Sequence, residues 1–218
     1  ARRSHVVLVL EPAAGAEGAL KTARKGVAEF ELIVRGRAAH AGLEPEKGVS
    51  ATLELAWQIP RIVALARARR GLTVNVGVIA GGTRSNVVAA EAWAQIDVRS
   101  TRRADAAWAE RRLRALRPVL PGAHLELRRK SSRPPLERTA GVVRLFRLAQ
   151  QVGRELDLRL RETSVGGGSD GNFTAALGVP TLDGLGGVGA GAHSPQEYVV
   201  VSSLAERATL LAGLLLRL

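Results

Sequence analysis

Six stretches of the sequence hold side chains suited to chemistry. "GAGAHSPQEYV" (189–199) sets His193 between small residues and a Ser-Pro turn. A neutral imidazole is the commonest metal ligand, and the nearest acid in this stretch is Glu197. "LVLEP" ends an apolar run with Glu11, and a carboxylate at the carboxyl end of a buried strand sits where open α/β sheets bind ligands. "GGGSDGNF" (166–173) puts three glycines before Ser169, the expected start of a helix. Glycines allow close backbone approach, and helix-start amides attract anions or oxyanions. This stretch lacks the spacing and the lysine of a phosphate-binding loop. "RGRAAHAGLEP" carries His40 among small residues. "TRSNVV" and "IDVRS" place Asn86 and Arg99 at opposite ends of one strand region, Arg99 able to grip a carboxylate with two parallel hydrogen bonds or to pair with an acid across the sheet.

These residues need elements to position them. HVVLVL (5–10) reads as a buried strand and residues 11–26 as a loop rich in small residues. "VAEFELIVRG" alternates apolar and polar side chains as a strand does. A helix is expected over about 47–69, kinked or broken at Pro60. Two more alternating strands follow, "LTVNVGVIAGG" and "VVAAEAWAQIDVRS", then a helix from Arg103 stopped by Pro118, and a final strand, "AHLELRRK". The order β-α-β-β-α-β is a ferredoxin-like unit. "SSRPPLERT" reads as a linker. Beyond it come a helix over 140–154, a strand "LDLRLRETS", the glycine loop opening a helix, a short buried strand in "VPTLDGLG", the His193 loop, and a helix over 202–217. The fold class is therefore mixed: a partial α/β domain in two pieces, 1–24 and 136–218, interrupted by an α+β unit over 25–135.

Composition narrows the function classes. The sequence has no cysteine, which removes disulfides and thiolate metal sites, and it has no methionine. No apolar run reaches the length of a membrane span, so no membrane partner is expected. The net charge is +12, and 28 of the 32 basic residues are arginines. Most of that excess lies in two expected helices, "RIVALARARR" and "RRADAAWAERRLRALR". A nucleic-acid surface would produce such charge, but aromatics are only 3% and no recognition motif accompanies it. Solvated helix faces are the expectation, with no nucleic-acid partner.

Taken in order, "LEP", "AAHAG.EP..G", "GGTRSNVVAAEA", "DVR", "GGGSDGN" and "GAHSPQEYV" resemble the glutamate carboxypeptidase–aminoacylase–acetylornithine deacetylase family of co-catalytic zinc hydrolases. The likeness runs along essentially the whole chain and is nearest to the glutamate carboxypeptidase branch, partly because of the glutamate in "LEP". It implies a catalytic α/β domain interrupted by a ferredoxin-like lid that also forms a homodimer. It implies that Glu11 and His193 are ligands of a two-zinc site, that Asn86 and Arg99 hold the substrate carboxylate, and that His40 reaches the partner subunit's active site to stabilise the oxyanion. The loop of Gly167, Gly168 and Ser169 would line the pocket for a small acyl-amino-acid or peptide substrate. The family's histidine-x-aspartate motif, bridging aspartate and acidic pair would precede residue 1, and nothing in this sequence replaces them. The chain thus reads as the C-terminal portion of a carboxypeptidase or amidohydrolase, inactive alone. The alternatives are a degenerate, non-catalytic dimerising protein and, behind it, an arginine-rich nucleic-acid binder. The resemblance leaves the compartment open, with cytoplasm favoured over periplasm.

Overall fold

The computed structural model describes all 218 residues. Its contacts divide the chain into two compact units: Val27–Arg133, and Ala1–Gly26 together with Pro134–Leu218.

The Val27–Arg133 unit is built on a four-stranded sheet. Its strands are β3 (Gly26–Arg35), β4 (Thr73–Gly81), β5 (Glu91–Ser100) and β6 (His124–Arg133), in the spatial order β4-β5-β3-β6. β4 pairs antiparallel with β5, and β3 with β6. In β5, Ala92, Ala94, Ile96 and Val98 are buried, while Glu91, Trp93, Gln95, Asp97 and Arg99 point to the other face. That period of two is the reason the strand was legible. Helices α1 (Ala51–Val63) and α2 (Arg103–Arg114) pack on the apolar face, and Leu55, Ile62 and Leu113 meet Phe30, Leu32, Val34 and the β5 side chains. The order is β-α-β-β-α-β, as the periodicities indicate.

Helix α1 is shorter than the span of apolar periodicity. Pro45–Lys47 forms a separate 3-10 turn, and the Ser50 hydroxyl then caps α1 by accepting from the Leu53 amide at 3.2 Å. Pro60 does not break the helix, which continues to Val63 before tightening into a 3-10 segment over Ala64–Ala68. The arginines of these helices are partly engaged. Arg69 and Arg112 stand over the Trp108 ring, and Arg114 pairs with Glu110.

The second unit has shorter strands. β1 (Val7–Leu8) pairs parallel with β8 (Thr181–Leu182), and β2 (Leu20–Arg24) pairs parallel with β7 (Glu162–Val165). The two pairs join through an antiparallel bridge between Lys21 and Asp183. Helices α3 (Ala140–Glu155) and α5 (Val201–Leu215) enclose a core of Leu20, Phe146, Ala149, Val152, Leu182, Leu185, Leu210 and Leu214. α4 (Gly171–Ala176) is one short helix beside β8, and β9 (Gly189–Ala190) pairs antiparallel with β10 (Tyr198–Val199). No helix is long and apolar enough to cross a membrane.

Here the structure corrects several expectations. Residues 11–26 are not all loop, since Leu20–Arg24 is a strand whose inward positions are Leu20, Thr22 and Arg24. A buried charge at an inward position hides the apolar alternation. The first strand shrinks to two residues and "LDLRLRETS" to Glu162–Val165, because the residues before Glu162 turn out of α3 through Asp157, whose φ is +55°. The "SSR" of the expected linker completes β6, and Leu136 exchanges both backbone hydrogen bonds with Arg24. α2 ends at Arg114, well before Pro118.

One buried carboxylate ties α1 to the turn that follows α2. Glu54 is fully enclosed and accepts from the amides of Val119 and Leu120 and from the Gln58 side chain. Glu54→Ala strands two backbone donors inside the fold, for which about 3 kcal/mol of lost stability is expected. Urea unfolding checks this; a loss no larger than that of an exposed-glutamate variant such as Glu46→Ala would contradict it.

Candidate functional site

Parallel pairing of β1 with β8 carries their C-terminal ends to one edge. Past that edge the two chains stay in register: the Leu185 amide donates to the Val9 carbonyl, Gly186 to Glu11 at 2.9 Å, and Ala13 to Gly187 at 2.9 Å. Gly186 is required there, since a Cβ would lie 2.4 Å from the Leu10 carbonyl oxygen. The chain leaving Gly187 enters the β9–β10 hairpin, which carries His193 in its loop. Glu11 thus lies at the carboxyl edge of the β1–β8 pair, beside the segment that leads into the His193 hairpin, and both side chains are exposed.

The His193 backbone is itself unusual. Its φ is +65°, a left-handed conformation uncommon for a residue with a Cβ. The His193 amide donates to the Glu197 carboxylate at 3.2 Å, and the Ser194 hydroxyl donates to the Gly191 carbonyl at 2.7 Å. Near Glu11 lies Lys21. Burial and the neighbouring Arg24 pull its ammonium below the ordinary lysine value, against the opposing influence of Asp183 and Glu11.

The glycine loop has an open side and a pinned foot. Gly166, Gly167 and Gly168 are exposed, and a Cβ at Gly166 or Gly167 would meet nothing within 4 Å. Neither has a positive φ. Packing in this chain therefore does not demand glycine at these two positions. Ser169, by contrast, is buried. Its hydroxyl donates to Asp183 Oδ2 and accepts from the Gly171 amide, while its own amide donates to Asn172 Oδ1 at 3.0 Å. The cap residue of α4 is Asp170, so Ser169 stands one position before the expected helix start. With the Ser169 and Gly171 amides already taken, they are not the anion-attracting donors that the sequence suggests.

Arg24 completes this foot. It meets Asp183 through two parallel hydrogen bonds, Nε to Oδ2 at 2.8 Å and Nη2 to Oδ1 at 2.7 Å, and Nη1 donates to the Gly167 carbonyl at 3.1 Å. Both side chains are almost wholly buried. Removing one partner strands a charge in the interior, at a cost of about 3–5 kcal/mol. Sequence reasoning missed both residues. The only available signal was a basic residue closing "LKTAR" and a lone acidic residue in "PTLDG".

His40 and Asn86 belong to the other unit. The structure brings them together: His40 bridges Val87, the Ala41 amide donates to the Asn86 carbonyl at 3.0 Å, and the Val88 amide donates to Ala39. His40 Nδ1 accepts from the Gly42 amide at 3.2 Å. A neutral imidazole with that nitrogen as acceptor keeps its proton on Nε2, ready to donate. Beside these segments opens a shallow depression of about 510 Å³ whose wall includes Ser50, Thr52, Thr83, Arg84, Ser85 and Val87 but neither His40 nor Asn86. Arg99 is not brought to them. It pairs with Asp97 at 3.0 Å and lies opposite Thr73, at the far end of β5 from the Asn86 turn. Eight residues of strand from Glu91 to Arg99 span about 26 Å, so Arg99 and Asn86 of one chain do not share a small ligand.

No group of three or more histidine, cysteine, aspartate or glutamate side chains is arranged to hold a metal ion. Zinc takes about four ligands, three of them from protein in catalytic sites, so the donors of this chain do not complete a zinc site on their own.

Residues 22–119 match the model of a peptidase dimerisation domain. The whole chain is similar to carboxypeptidase G2 of Pseudomonas sp. (strain RS-16), with 31% identity over 222 residues, 100% of this chain and 54% of that protein. An uncharacterised protein, YqjE of Bacillus subtilis (strain 168), is 30% identical over 175 residues, 78% of this chain and 46% of its own length. The chain thus spans about half the length of these relatives. Among solved structures, aminopeptidase PepT from Bacillus cereus ATCC 10987 superposes with a TM-score of 0.78 at 26% identity, over 97% of this chain and 56% of that one. A tripeptidase from Staphylococcus aureus shares the fold, with a TM-score of 0.70 at 23% identity over 97% of this chain and 56% of that one.

The left-handed backbone at His193 yields a direct test. Glycine adopts that conformation freely, whereas a Cβ costs about 1 kcal/mol. His193→Gly is therefore expected to be more stable than His193→Ala by roughly that amount in thermal or urea unfolding; equal stabilities would show that the loop relaxes once the imidazole is gone.

Proposed function

The chain belongs with the M20 peptidases, whose dimerisation domain it carries, and on that premise we propose that it is part of a zinc-dependent carboxypeptidase or amidohydrolase that cleaves an amide bond next to a free carboxylate. N-acyl amino acids and peptides ending in glutamate are the substrate class. The carrying observation is the register that sets the Glu11 segment against the root of the His193 hairpin. In this reading Glu11 and His193 each contribute one ligand to a two-zinc centre of the complete enzyme. Two donors do not make such a centre, so the 218-residue chain alone is catalytically silent and no step of hydrolysis is assigned to metal held by it.

The remaining roles are those the family resemblance implies, and the geometry within each unit is compatible with them. The open side of the glycine loop, where packing leaves room for side chains at Gly166 and Gly167, receives substrate backbone. His40, with its Nε2 proton available, donates to the developing oxyanion in the partner subunit's site, and Asn86 beside it donates to the substrate carboxylate. Arg99 would reach a carboxylate other than the one at Asn86. Dimerisation uses β4, an edge strand with Val78 and Ile79 exposed; an unpaired edge of this kind is a ready template for a second copy.

Three measurements test this reading. The isolated chain should show no metal-dependent turnover of acyl-glutamates, and clear turnover would contradict the incomplete site. In the complete enzyme, Glu11→Ala and His193→Ala should each lower bound zinc together with activity, as read by elemental analysis; full zinc content in both would remove them as ligands. Sedimentation should give a dimer that Ile79→Lys converts to monomer. A wild-type monomer at high concentration would remove β4 as an interface.

A further inference from the structure

We infer that Arg24 and Asp183 are positioning residues that fix the shape of the Gly166–Ser169 loop. The inference rests on reading that loop as the substrate-facing segment, and it adds residues that the motifs do not contain. Three attachments carry it. Arg24 Nη1 donates to the Gly167 carbonyl, so one donor of the guanidinium holds the loop's backbone directly. Its other two bonds go to Asp183, whose Oδ2 also accepts from the Ser169 hydroxyl. That hydroxyl in turn accepts from the Gly171 amide. The loop is therefore held at both ends by one ion pair, through a carbonyl at Gly167 and a hydroxyl at Ser169.

The sources of this clamp are rigid. Arg24 is the last residue of β2 and exchanges both backbone hydrogen bonds with Leu136. Asp183 directly follows β8, and its backbone pairs with Lys21. Asn172 adds a third restraint. Its Oδ1 accepts from the Ser169 amide and its Nδ2 donates to the carbonyls of Lys25 and Pro134. A planar guanidinium suits the central role because its fixed fork of donors can serve a carboxylate and a carbonyl at once; lysine has no such fork. Glycines at 166 and 167 that packing does not require need such an external clamp, since their own backbone would otherwise sample many conformations.

The test removes the whole pair, because a single removal leaves a buried unpaired charge and lowers stability for that reason alone. The double variant Arg24→Met/Asp183→Leu fills the same space without charge. Amide hydrogen exchange is then read at two places in the 218-residue chain: Ser169, Gly171 and Asn172 at the loop foot, and Leu20, Leu182 and Leu210 in the core. The positioning role predicts exchange faster by about tenfold or more at the loop foot with core protection kept. Unchanged loop exchange in the folded double variant overturns the proposal, as does equal loss of loop and core protection. Should the double variant not fold, Ser169→Ala removes only the hydroxyl bridge. It is expected to speed exchange at Gly171 without touching the core, and no change there overturns the proposal. Arg24→Lys keeps the charge without the fork and should not rescue the loop foot; full rescue would reduce the role to charge alone. None of these readouts depends on turnover, so the clamp and the hydrolase reading can fail separately.

Discussion

A guanidinium and a carboxylate, each almost wholly removed from water, meet where β2, the end of β8 and the glycine loop come together. Desolvating two charges is expensive, and only good geometry with every lone pair and proton engaged offsets it. Arg24 and Asp183 meet much of that condition, because three of the five guanidinium N–H donors are engaged, two on Asp183 and one on Gly167, and Oδ2 also accepts from Ser169. The strands around it are two to five residues long, too short to define a rigid edge by ladder hydrogen bonds alone. The ion pair supplies the directional restraint that those strands lack. The apolar cluster of α3, α5, β2 and β8 behind it supplies the bulk of the stabilisation.

The two units follow different physical logic. In Val27–Arg133, strands of nine or ten residues form one sheet whose apolar face lies under two helices, with the clearest alternation in β5. Its polar centrepiece, Glu54, serves packing by tying a turn to a helix. In the other unit the strands are short, and the candidate groups on its loops are exposed or left-handed: Glu11, the three glycines and His193. Loops held by a scaffold are where binding groups commonly sit.

That contrast explains what the sequence disclosed. The βαββαβ unit was legible because a half-buried sheet writes its geometry as a period of two, which "AEAWAQIDVRS" follows apart from Trp93 and Ser100. β2 was illegible because "LKTAR" buries Thr22 and Arg24 where the pattern expects apolar side chains. β9 and β10, with two residues each, are too short to show any period. For the site, the motifs single out Glu11, His193, His40, Asn86 and the glycine loop as candidates. The sequence sets Asn86 and Arg99 at opposite ends of one strand region, and in the structure most of the length of β5 lies between them. Ser169 looks like a helix cap in sequence and proves to be the loop's anchor. Its partner, Asp183, lies fourteen residues away along the chain, beyond any local pattern.

The account stands on Glu11 and the His193 loop presenting their side chains to a common point. Paramagnetic broadening reads this directly, and even a weakly held cation suffices. With Co²⁺ added stepwise to the ¹⁵N-labelled chain, the amide signals of residues 10–13 and 191–194 should broaden together at the same cation concentration. Substituting either Glu11 or His193 by alanine should abolish both effects. Broadening at 191–194 that persists unchanged after Glu11→Ala, with residues 10–13 untouched throughout, would contradict the shared edge and the metallohydrolase reading with it.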